Sequence, residues 1–139
     1  MGKKIKISDV KVQFGGDSFP EDRKLIELLK KAYNGEQLVR MALIKFDAIH
    51  PFSDFKPRIA EEYKKYFEKL EGKETPPPLY VYPENESFVM SDDYNAYFTY
   101  KEKGYSEVMC VLLGDSNSKD IIEKSEPFVL PQPEAEQIG

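Results

Sequence analysis

The chain has 139 residues, 40% of them hydrophobic and 32% charged, which suits one soluble globular domain and excludes a disordered tract. Its net charge of −5 is uneven: residues 1–83 carry 16 Lys/Arg against 13 Asp/Glu, and residues 84–139 carry 4 against 12. The acidic second half argues against a phosphate-backbone surface, and the longest apolar runs fall short of the roughly 18 residues a membrane-spanning helix needs.

The first residues, "MGKKIKISDV", are basic but lack an apolar stretch, so they are not read as a secretory signal. In "KKIKISDVKVQF", Ile5, Ile7, Val10, Val12 and Phe14 alternate with polar residues, which predicts one or two short strands. "GGDSF" turns the chain. The clearest helix is "FPEDRKLIELLKKAYNG", with Pro20 near its first turn and Asn34-Gly35 closing it. Its Leu25, Leu28, Leu29 and Ala32 recur at helical spacing and are expected to face the core.

"QLVRMALIKFDAI" is expected to be extended, with Val39, Met41, Leu43 and Phe46 pointing inward. After the loop "HPFSDFKP", Pro57 opens a second amphipathic helix with an inward set of Ile59, Tyr63, Phe67 and Leu70, ended by Gly72. "LYVY" and "SFVM" read as two strands joined by the turn signal "PENE". A short helix is expected over residues 93–103, followed by the strand "EVMCVLL". "DSNSKDIIEKSEPFVL" is expected to hold one helical turn and a docked apolar segment at 128–130, and residues 131–139 a frayed tail. The expectation is therefore a single α/β (α+β) domain over residues 1–130, a small mixed sheet with amphipathic helices packed on it. The single cysteine, Cys110, allows no internal disulfide and suits a reducing cytoplasm.

From "LIKFDAIHPF" to "VMCVLLG", roughly residues 43–114, the order of elements resembles the ParB/sulfiredoxin-like family; residues 1–40 would be an N-terminal strand–helix extension. The strand "SFVM", the turn "SDDYNA", the helix ending at Gly104 and the strand "EVMCVLLG" occupy the frame in which that family carries a D-G-x-H/N-R turn. The resemblance implies a nucleotide site there: ParB-type members bind and hydrolyse cytidine triphosphate, and sulfiredoxin binds adenosine triphosphate beside a catalytic cysteine. It places Asp92 on the family's acid, Asp93 on its glycine, Asn95 on the His/Asn position and Ala96 on the arginine. A glycine is thus replaced by a carboxylate, and the bidentate phosphate donor by a methyl group. Each carboxylate–phosphate charge pair about 4 Å apart would cost roughly 4 kcal/mol at an effective dielectric near 20. The family's second phosphate box has no counterpart downstream, and Cys110 falls in an apolar strand rather than in the turn.

The residues themselves leave several readings open. Asp92 and Asp93 can be a helix cap with a first-turn charge, a carboxylate pair for acid–base work, or ligands of a divalent cation bridging to phosphate. His50 is the only histidine, which disfavours a transition-metal site and leaves a general base as its functional reading. Asp92, Asp93 and Asn95 are the candidate ligand-binding residues; no catalytic residue, metal site or cofactor is assigned. Nine Tyr and nine Phe occur without Trp, and in "DDYNAYFTYKEKGY" Tyr94, Tyr97 and Phe98 are expected to pack inward while Tyr100 and Tyr105 are free for protein contact. The favoured expectation is a non-catalytic protein-interaction module on a degenerate scaffold, with another, basic, protein as partner, suited to a plasmid- or phage-type accessory protein or inhibitor. A metal-dependent nucleotide enzyme is the alternative. DNA binding by the more basic first half is a weaker one.

Overall fold

The computed structural model describes residues 22–73 and 76–130. The strands expected within residues 5–14 and the tail expected over 131–139 lie outside the described residues.

Helix α1 (Arg23–Tyr33) starts where Asp22 turns its carboxylate back on the chain, Oδ1 accepting from the N–H groups of Lys24 at 3.1 Å and Leu25 at 3.3 Å. This satisfies two donors that a helix start leaves unpaired and fixes the beginning at Asp22, later than the proline signal suggested. Leu25, Ile26, Leu29 and Ala32 form its buried stripe, and Lys30 and Lys31 sit in the last turn where the helix dipole favours cations. Strand β1 (Val39–Lys45) passes through a 3-10 turn, Phe46–Ala48, into the short β2 (Ile49–Pro51). Helix α2 (Glu61–Lys73) begins four residues after Pro57; Phe67 is its one fully buried aromatic ring. Strands β3 (Leu79–Glu84) and β4 (Ser87–Met90) form a hairpin over Asn85-Glu86, with Asn85 at φ 59, a conformation asparagine tolerates better than most residues. Helix α3 (Tyr94–Lys103) and strand β5 (Glu107–Leu113) follow, then β6 (Ile121–Lys124).

The six strands form one mixed sheet in the order β2-β4-β3-β5-β1-β6. β5 is antiparallel to β1 and parallel to β3, and β2 runs parallel to β4. Both faces are covered, so alternate residues of each strand enter different layers. One layer joins Ala42, Ile44, Leu79, Val81, Phe88, Met90, Val108, Cys110 and Leu112 to Phe67 of α2 and to Ala96, Tyr97 and Tyr100 of α3. The other joins Val39, Tyr82, Val111 and Leu113 to α1. A single inward face for β1 was the wrong picture: Val39 points to α1, and Ala42 and Ile44 point to the opposite layer. The helical turn expected after Gly114 is also corrected. Residues 121–124 pair with β1 instead, and Phe128 bridges Val39 in the same direction, docking the apolar segment that ends at the buried Leu130.

Gly104 caps α3 at φ 77. Open space surrounds the position of a Cβ there, so a side chain meets only the backbone penalty of the left-handed region. Gly104→Ala is expected to cost about 1 kcal/mol, seen as a lower denaturant midpoint at unchanged slope. Among the described residues no helix is long and apolar enough to cross a membrane.

Candidate functional site

Strand β4 delivers the chain to α3 through Ser91, Asp92 and Asp93. Asp93 is the N-cap: its Oδ1 accepts from the Ala96 N–H at 3.0 Å, and its carbonyl accepts from the Tyr97 N–H at 3.1 Å. A helix start attracts anions because its first N–H groups are unpaired. Here the chain's own carboxylate already takes one of them. Burial raises the Asp93 carboxyl above its usual range, and the bond from Ala96 offsets part of that rise.

Asp92 behaves differently. The residue keeps some exposed surface, but Oδ1 is sealed from solvent without a hydrogen-bond partner. Burial first, and the Asp93 charge second, push its carboxyl up to about 8, against which the nearby N–H groups of Asp92, Tyr80 and Asp93 act only in part. At neutral pH Asp92 is therefore mostly protonated. The expectation of two anionic side chains at the turn is corrected accordingly: the second charge is removed because its carboxyl lies against β3 and the core, out of water.

Other polar groups close on the same place. The Ser91 Oγ, the Asn95 Oδ1 and the hydroxyl of Tyr63 on α2 are also buried without partners. Burial, then the charge of Asp93, holds the Tyr63 hydroxyl well above its ordinary range. The Tyr33 and Tyr80 hydroxyls lie beside one another on the α1 side, both raised by burial and both within the field of Asp92. Among the described residues no lysine or arginine is one of the groups that shift either carboxyl.

Asp92, Asp93 and Asn95 are thus brought together as expected, simply by adjacency on one turn. Ala96 is fully buried and offers nothing to a ligand. Tyr100 is not a free contact residue: it is 2% exposed, wedged against Phe67 and donating to the Pro77 carbonyl. Tyr105 is half-buried, and its hydroxyl donates to Glu71 of α2, an interaction that, after burial, holds it at about 12. Both tyrosines therefore fasten α2 to α3. Cys110 is buried in β5, and burial raises its thiol and keeps it protonated. His50 is exposed on β2, opposite Val89 of β4. Tyr63 and Ser91 were missed as polar members of the site. Tyr63 reads in sequence as one more apolar position of a helix stripe, and Ser91 as a strand end.

Among the described residues no group of three or more His, Cys, Asp or Glu side chains is placed to hold a metal ion. No protein-family model matches the chain, and no curated protein sequence is significantly similar to it.

Proposed function

We propose that this chain is a non-catalytic interaction module on a ParB/sulfiredoxin-like scaffold, acting through contacts with another protein in the cytoplasm. The observation that supports the reading is the occupied start of α3, where Asp93 accepts from the Ala96 N–H at the place a phosphate oxygen would need. The adjoining groups favour it too: a protonated, sealed Asp92, a buried Ala96 in place of a phosphate-binding side chain, and, among the described residues, no basic group shifting either acid. The acidic balance of residues 84–139 favours a basic partner.

A second reading, a nucleotide-binding enzyme, rests on the unpartnered Asp92 Oδ1 and Asn95 Oδ1, two oxygen acceptors that a hard divalent cation could take. Isothermal titration with ATP, CTP and GTP, with and without magnesium, separates the two. The expected result is no binding tighter than about 100 μM in either condition. Tighter binding only with magnesium would establish the second reading, and tighter binding without it would refute the occupied-turn argument itself.

A further inference from the structure

Among the described residues, every buried side-chain oxygen without a hydrogen-bond partner is found around one turn: Ser91 Oγ, Asp92 Oδ1, Asn95 Oδ1 and the hydroxyl of Tyr63. Native proteins leave few such atoms, because an enclosed polar group without a partner is costly. Three of the four are gathered by the chain itself. Ser91 and Asp92 are consecutive, and Asn95 lies in the first turn of α3. The fourth comes from α2. Tyr63 precedes Phe67 by one turn, so the two rings share a helix face, with centroids 6.3 Å apart. Phe67 in turn meets Tyr100 of α3 at 5.1 Å, and this packing brings the Tyr63 hydroxyl within the field of Asp93 and Asp92. Ser91 is 1% exposed, so its oxygen has no water to turn to.

The donor types select a ligand. Carboxylate, amide and hydroxyl oxygens are hard donors, and neither nitrogen nor sulfur is among them, which suits calcium or magnesium rather than zinc or copper. Magnesium gives up its water reluctantly and demands near-octahedral geometry, whereas calcium takes about six to eight oxygens in irregular arrangements. Oxygens sealed from solvent and drawn from a turn and a facing helix therefore favour calcium. Only two of the residues here are acids, Asp92 and its neighbour Asp93, and a dication balances two carboxylates.

We propose that the turn over residues 91–95 is a calcium site, its ligands Ser91 Oγ, Asp92 Oδ1 and Asn95 Oδ1, closed on the α2 side by the Tyr63 hydroxyl. Asp93 supplies the second negative charge and goes on capping α3 through Oδ1. The site shares two oxygens with the nucleotide reading but requires no nucleotide, and an interaction module accommodates a bound ion as readily as an enzyme does.

Calorimetry on the full-length chain, stripped with a chelator and titrated with calcium chloride in the absence of nucleotide, tests this. One equivalent is expected to bind with a Kd tighter than about 1 mM. Asp92→Asn keeps the shape of the side chain and removes its charge, and should weaken binding at least about tenfold. Asn95→Asp adds a carboxylate at a ligand position and should tighten binding severalfold, a gain that a purely structural role for Asn95 would not give. Glu123→Gln, at an exposed acid of β6, should change nothing. Terbium bound in place of calcium should emit when tyrosine is excited, because Tyr63 adjoins the site, and added calcium should remove that emission. No binding, binding unchanged by Asp92→Asn, or magnesium bound as tightly as calcium would each overturn the proposal. Such a failure would leave the interaction-module reading standing, since that reading is decided by the nucleotide titrations.

Discussion

Replacing Asp92 by asparagine is expected to stabilise the protein at pH 8 by about 2–4 kcal/mol and to leave it almost unchanged at pH 4. In the folded state the carboxyl sits at about 8, against an ordinary value of 3.8. Below the ordinary value it is protonated whether the chain is folded or not, and folding is unopposed. Between the two values the folded chain holds a proton that the unfolded chain has released, so stability falls as pH rises, by at most about 1.36 kcal/mol per pH unit for one such group. The loss is complete above about pH 8, where the sealed carboxylate must be charged in both states. A shift of about four units would give an upper bound near 5–6 kcal/mol; asparagine recovers less, because its amide also needs partners in the same enclosed space. Urea titrations of parent and variant at pH 4, 6, 7 and 8.5 measure the difference directly. A gap that is constant with pH would mean that Asp92 acts by shape alone. An unstable variant at every pH would mean that the carboxylate is held by groups other than those near it here.

The second large effect concerns the start of α1. Asp22→Ala is expected to destabilise the protein by about 2–4 kcal/mol, combining the loss of a helix cap, about 1 kcal/mol, with a buried tyrosine hydroxyl left unpaired, about 1–3 kcal/mol. One carboxylate does both jobs: Oδ1 takes the amides at the start of α1, and Oδ2 takes Tyr82 from β3. The Tyr82 ring is 2% exposed, and its hydroxyl is raised by burial first and by the Asp22 bond second, so it has no water to turn to. Tyr82→Phe alone should cost less, about 1 kcal/mol, because it leaves the cap in place. In the double variant the two losses should sum to less than their separate values, since a phenyl ring at that position has no hydroxyl to satisfy. Strict additivity in a double-mutant cycle would show that the α1–β3 tie contributes nothing.

Much of this architecture is legible in the residues. The stripe of α1, the hairpin at Asn85, the Gly104 stop and the cap at Asp93 all depend on interactions within a few positions of chain, where composition and spacing carry the information. What escaped depends on partners distant in sequence. β6 is short and mostly exposed, and only its pairing with β1 makes it a strand. The two-sided burial of β1 follows from α1 covering a face that alternation alone could not assign. Tyr100 was expected at the surface because a helix on a sheet usually has one dry side. α3 also leans on α2 through Phe67, Tyr100 and Tyr105, so a second side is dry. The protonation of Asp92 was equally hidden. Two adjacent acids read as two charges until the depth of one of them is known.

The place of β1 in the sheet has a bearing on how the molecule assembles during synthesis. Its two neighbours, β5 and β6, are translated long after it, while β3 and β4 can zip together as soon as they emerge. Closing so wide a loop is slow even where its entropic cost grows gently with length. A nascent chain that has not yet extruded residue 107 therefore carries an apolar ribbon with both flanks bare, and its protection in the crowded cell falls to whatever shelters emerging polypeptides.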